Sequence, residues 1–113
     1  MKTSELTGAA LDWAVAKCEG VFPADTARFI DIFVHQNQTG QGYCYSRDWS
    51  LSGPIIERER IDVYGFDGDS WGAEDNIRAR QYGPTPLIAA MRCYIASKLG
   101  DEVTIPDELM EAA

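Results

Sequence analysis

From Thr7 to Glu19 apolar and small residues dominate, with Ala9, Ala10, Leu11, Trp13, Ala14, Val15, Ala16 and Cys18 leaving few polar positions. Thr7 is a suitable N-cap, Lys17 falls in the last turn and Gly20 supplies a stop, so the spacing predicts a helix. A helix apolar on nearly all sides packs on more than one face, which places this one centrally. Phe29-Ile30-Asp31-Ile32-Phe33-Val34 is β-branched and aromatic and predicts a central strand. The polar stretch Gln36 to Gly42 reads as a loop or hairpin turn, and Tyr43-Cys44-Tyr45 as a short returning strand. Ser52 or Gly53 ahead of Pro54 has the form of a helix start, because proline is tolerated where the amide lacks an intrahelical partner. That short helix ends near Arg60. Ile61 to Phe66 alternates and predicts a strand stopped by Asp67-Gly68-Asp69, with further short strands at Trp71 to Ala73 and Ile77 to Gln81.

The clearest element is Pro86 to Leu99. Thr85 is the N-cap, Pro86 occupies the first helical position, Lys98 lies in the last turn and Gly100 closes the end. Leu87, Met91, Tyr94, Ile95 and Lys98 or Leu99 follow helical spacing as one apolar stripe, while Ala89, Ala90, Cys93, Ala96 and Ser97 keep the other side small. That small side suits close approach of a neighbouring element or a homodimer seam. The order α-β-α-β-β-α predicts an α+β fold, a small antiparallel or mixed sheet with helices packed on one face.

At 113 residues the chain is expected to form a single domain, residues 1–113, in which 101–113 is an acidic C-terminal tail. The longest unbroken apolar stretch, Leu87 to Met91, is too short to span a membrane, and the first residues lack the apolar core of a secretory signal. A net charge of −8 disfavours generic nucleic-acid binding, although a local basic pocket stays open. Two readings of the acidity compete. One is solubility, which the interspersed cations favour; the other is mimicry of nucleic acid before a basic groove. Cys18, Cys44 and Cys93 form no C-x-x-C pair, so neither a zinc ribbon nor a thioredoxin motif can be built. An odd count of thiols fits a reducing compartment, and a cytoplasmic location is expected.

Several stretches together carry a family resemblance: Leu6-Thr7-Gly8 through Lys17, Asp48-Trp49, Gly53-Pro54-Ile55-Ile56-Glu57-Arg58-Glu59, Trp71-x-Ala73, and Gly83-Pro84-Thr85-Pro86 on to Tyr94. On these residues the chain resembles the phage NinX-like family, small proteins of lambdoid phages and prophages without an established activity. The resemblance covers nearly the whole chain. It departs at Tyr45 and Ser52, where the family pattern has proline and glycine, so the loop ahead of the short helix is expected to differ in shape. It implies a bacteriophage protein in the cytoplasm of a bacterial host, and it carries no established activity to transfer.

Catalysis is the weaker class on the residues themselves. His35 is the only histidine, and at the end of an apolar stretch it reads as a partly buried structural residue rather than a triad base. Glu57 and Glu59 do not share a helix face, Asp67-Gly68-Asp69 lacks the later ligands of a calcium loop, and no phosphate-binding glycine motif is present. No catalytic residue, no metal ligand and no cofactor is expected.

Binding is the stronger class. The helix starts at Ser52-Gly53-Pro54 and Gly83-Pro84-Thr85-Pro86 offer amides and a helix dipole to an anion. Trp49, Trp71 and Tyr82 offer flat rings, and Arg58, Arg78, Arg80 and Arg92 offer positive charge. The expected ligand-binding residues are Trp49, Gly53, Glu57, Arg58, Trp71, Thr85 and Arg92, lining one pocket for a small anionic, nucleotide-like molecule. In a phage setting such binding would blunt a host defence. Plain capping chemistry, core tryptophans and a solvent-facing Arg92 are the structural readings of the same residues. The alternative function is an acidic protein-binding inhibitor or modulator of a host enzyme, presenting carboxylates between Glu57 and Asp75 to a basic surface.

Overall fold

The computed structural model describes residues 1–21, 33, 35, 42–77, 79–107 and 109. After a 3₁₀ turn at Thr3–Glu5, the elements are α1 (Gly8–Glu19), α2 (Trp49–Glu59), β1 (Asp62–Phe66), β2 (Ser70–Glu74), β3 (Arg80–Gly83) and α3 (Pro86–Leu99). The strands form an antiparallel sheet in the order β1-β2-β3, so the fold is α+β with helices against the sheet. Its register sets Tyr64 opposite Gly72 and Gly72 opposite Tyr82, with Gly65, Trp71 and Gly83 in the next row.

α3 is the hub. It lies along one face of the sheet, while α1 and α2 pack on α3. Gly83 makes this close approach possible: a Cβ there would come within 2.9 Å of the Ala89 amide nitrogen and of Ile88. Residues Ala89 to Ile95 are all buried, Ala89, Ala90 and Cys93 completely, so the small side of the helix is covered by the chain itself. α1 is central as its composition predicts, with Ala9 to Ala16 continuously buried and Gly20 closing it in the left-handed conformation.

Three sequence expectations are corrected. α2 begins at Trp49, and Pro54 lies inside it. Asp48 is the true cap, accepting from the Ser50 amide at 2.9 Å and the Ser50 hydroxyl at 2.6 Å. An aspartate oxygen at the N-cap starts a helix more strongly than a proline further along, whose missing amide removes only one hydrogen bond. Tyr43-Cys44-Tyr45 is not a strand. The Cys44 carbonyl accepts from the amides of Arg47 and Asp48 and closes a turn that delivers the chain to its cap. In the stretch predicted as a strand, Phe33 is helical and buried, and His35 just beyond it is helical and exposed. A short apolar run satisfies a buried helix as well as a buried strand. The remainder of Phe29 to Val34, and the loop from Gln36 to Gln41, lie outside the described residues. The segment after Gly100 packs against the first residues of the chain. Asp101 and Val103 exchange backbone hydrogen bonds with Thr3 and Met1, and Val103, Ile105 and Leu109 are buried.

Candidate functional site

α2 and α3 begin side by side. Their first residues and the turn before α2 enclose a surface hollow of 270 Å³, lined by Ser46, Arg47, Trp49, Thr85, Pro86 and Leu87. Both helix dipoles present their positive ends here. The Thr85 hydroxyl oxygen accepts from the Ile88 amide at 3.1 Å, so α3 is capped as its sequence predicts. Trp49 stands at the rim with 55% of its surface exposed, free of the core. Asp48, between the lining residues Arg47 and Trp49, is held below the usual carboxylate range by the hydroxyl and amide of Ser50.

The turn that carries Ser46 and Arg47 is fixed from two sides. The Ser52 hydroxyl donates to the Tyr45 carbonyl at 2.6 Å, and the Ser46 amide donates to Asp12 Oδ1 at 2.8 Å. Tyr45 and Ser52, the two departures from the resembled family pattern, therefore meet in space. Asp12 comes from the middle of α1 and is buried, with no hydrogen bond to Oδ2 among the described residues. Burial pushes its carboxyl up to about 6, against the opposing pull of the Ser46 hydrogen bonds and the Arg47 charge.

Of the seven expected ligand-binding residues, Trp49 and Thr85 line this hollow together and the other five do not. Gly53 sits within α2, where a Cβ would meet open space. Glu57 is exposed in the last turn of α2, at the far end of the helix from the hollow. Arg58 is at the same far end, with Nη1 and Nη2 donating to the two Glu19 oxygens at 3.2 and 2.7 Å and Nε to Glu59 at 2.8 Å. Lys98 also pairs with Glu59, and the Tyr94 hydroxyl donates to Glu19, so the network ties the C-terminal ends of α1, α2 and α3. Trp71 lies on β2 between Gly65 and Gly83, partly exposed. Arg92 is buried, with Nε on the Leu6 carbonyl at 2.8 Å and Nη1 on the Tyr82 carbonyl at 2.7 Å. It is a strut between the first residues and β3. Sequence reasoning missed Ser46, Arg47 and Leu87; Asp48-Trp49-Ser50, a cap residue ahead of a helix, is the signal that places Ser46 and Arg47 beside the start of α2.

Other reactive groups are subdued. Burial pushes the Cys18 thiol up to about 11 and the Cys93 thiol up to about 12, and it raises Cys44 as well. Thiols in such surroundings stay protonated at neutral pH and are poor nucleophiles. Among the described residues no group of three His, Cys, Asp or Glu side chains is arranged to hold a metal, and no helix is long and apolar enough to cross a membrane.

No curated protein matches the chain closely enough to lend it an activity. The family model described as Bacteriophage P22, NinX does match, over residues 2–98, from the turn before α1 to the penultimate residue of α3. A match over that much of the chain, carrying every element of the fold, makes this protein a member of the phage P22 NinX family.

Proposed function

We propose that the chain is a non-catalytic phage accessory protein that holds a small anionic, nucleotide-like ligand in the hollow where α2 and α3 begin. The observation that carries this reading is the shared opening. Two helix N-termini, the Arg47 cation and the exposed Trp49 indole border one concavity. Helix starts favour phosphate or carboxylate, a guanidinium pairs with either, and an indole stacks on a planar ring. Among the described residues the lining holds no histidine, cysteine or carboxylate, and Ser46 is buried with its hydrogen bonds directed to Asp12 behind it. High thiol pKa values support a binding role in the same way. In the cytoplasm of an infected host, sequestering a nucleotide signal is how such a protein would blunt a defence.

The test is thermal unfolding of the full chain against inorganic phosphate and a panel of nucleoside mono- and diphosphates. At least one nucleotide raises the melting temperature of the native protein, and Arg47→Ala and Trp49→Ala remove the rise. A flat response across the panel overturns the reading.

A further inference from the structure

The outer face of the sheet is built against the usual rule for an antiparallel sheet, in which the side away from the helices is polar. Alternation along the strands puts Tyr64, Phe66 and Tyr82 on that side, away from α3. Gly72 lies between Tyr64 and Tyr82, and a Cβ there would be 2.6 Å from the Tyr64 ring. Tyr64 therefore lies across β2 over the glycine. Phe66 and Tyr82 meet across the same strand with ring centroids 4.9 Å apart, and 46% and 40% of their surfaces remain exposed. Aromatic rings exposed in this number on one face mark protein interfaces more than solvated surface.

Charge decides what meets them. Asp62 and Glu74 stand on the same face, and Asp67 and Asp69 rim it from the β1–β2 turn. Among the described residues Arg80 is the cation on this face, and it is paired with Glu74 at 3.1 Å. A second copy brings the same carboxylates against their own kind on a chain of net charge −8, and phosphates are repelled for the same reason. A guanidinium suits both halves of the surface, stacking flat on a ring while its edge donates to a carboxylate. We infer that the outer face of the sheet docks an arginine-bearing segment of a basic protein, with Phe66 and Tyr82 as the stacking platform and the surrounding carboxylates as the pairing rim. This surface lies on the sheet and does not depend on the ligand proposed for the hollow.

The probe is a peptide of four arginines separated by glycines, with lysine and glutamate peptides of the same length, titrated into the isotopically labelled full chain. The arginine peptide shifts amide signals of β1, β2 and β3, and its affinity falls steeply as salt rises. The lysine peptide binds about threefold more weakly, and the glutamate peptide does not bind. Phe66→Ser with Tyr82→Ser weakens the arginine peptide about tenfold. Asp67→Asn with Asp69→Asn, in which asparagine tolerates the positive φ of Asp67, weakens it about threefold while leaving the rings in place. Dispersed amide spectra of each variant confirm its fold. Shifts centred elsewhere, equal binding of the lysine peptide, or binding unchanged in both double variants overturn the inference. So does self-association, or oligonucleotide binding, that the ring substitutions abolish.

Discussion

The hydroxyl of Ser52 donates to the carbonyl oxygen of Tyr45, 2.6 Å away, and both residues are buried. This bond joins the second turn of α2 to the turn that precedes the helix, and Asp12 holds the next residue of that turn from α1. The position of Arg47 at the hollow thus depends on two buried polar contacts behind it. Ser52→Ala leaves the Tyr45 carbonyl without its donor and is expected to lower stability by about 1–2 kcal/mol. Urea unfolding of the variant at neutral pH checks the figure; an unchanged midpoint would show that the turn is held by other means.

Asp12 makes the stability of the protein depend on pH in an unusual direction. With its carboxyl at about 6, the native state keeps a proton that the unfolded chain has already released. Its contribution is therefore complete below about pH 4 and is lost as pH rises through 6, a change of about 2–3 kcal/mol. Asp12→Asn retains an oxygen for the Ser46 amide and removes the titration. The variant should gain on the parent protein steadily between pH 4 and pH 7, the effects of all other groups cancelling in the difference. Urea midpoints measured for both proteins across that range test this, and a constant difference refutes it.

Much of this architecture is readable from local signals. α3 is bounded as predicted because a threonine cap, a proline at the first position and a terminal glycine all lie within its own residues. The hairpin follows from alternation and the Asp67-Gly68 turn, where both residues take positive φ. The start of α2 was less legible because proline and aspartate compete as helix signals, and the side-chain acceptor outweighs the constrained ring. Arg92 was illegible in its role. Its two acceptors are main-chain carbonyls of Leu6 and Tyr82, which only the tertiary fold brings to it. Of the site, Trp49 and Thr85 were found through rings and caps, whereas Arg47 is hidden as long as the helix start is read at Pro54 rather than at the Asp48 cap beside it.

Arg58 serves the fold rather than the hollow. Its hydrogen bonds to Glu19, reinforced by the Tyr94 hydroxyl, hold that carboxyl below the ordinary glutamate range. The stabilisation is present above about pH 4.5 and is lost as pH falls through the lowered value. Arg58 is half exposed, so screening keeps its contribution small. Arg58→Lys abandons the two-pronged contact and should cost about 0.5–1 kcal/mol at low salt, less at high salt. Because Arg58 stands about 13 Å along α2 from Trp49, phosphate and nucleotide binding should be unchanged in this variant. Calorimetric titration of the two proteins side by side separates the roles, and a loss of binding would place Arg58 at the site.

Asp48 supplies the sharpest test of charge at the hollow. Its carboxyl, held below the ordinary carboxylate range by Ser50, stands beside the rim where Arg47 is proposed to meet an anion. The carboxylate caps α2 and at the same time repels that anion. Asparagine caps a helix nearly as well through its amide oxygen, so Asp48→Asn removes the repulsion and leaves the helix start in place. Affinity for inorganic phosphate or a nucleoside monophosphate should rise about two- to fivefold at low ionic strength, with the gain shrinking as salt is added. Arg47→Ala should move affinity the opposite way. Titration calorimetry at two salt concentrations resolves both effects, and equal or weaker binding in the asparagine variant would mean that the anion sits beyond the reach of this helix start.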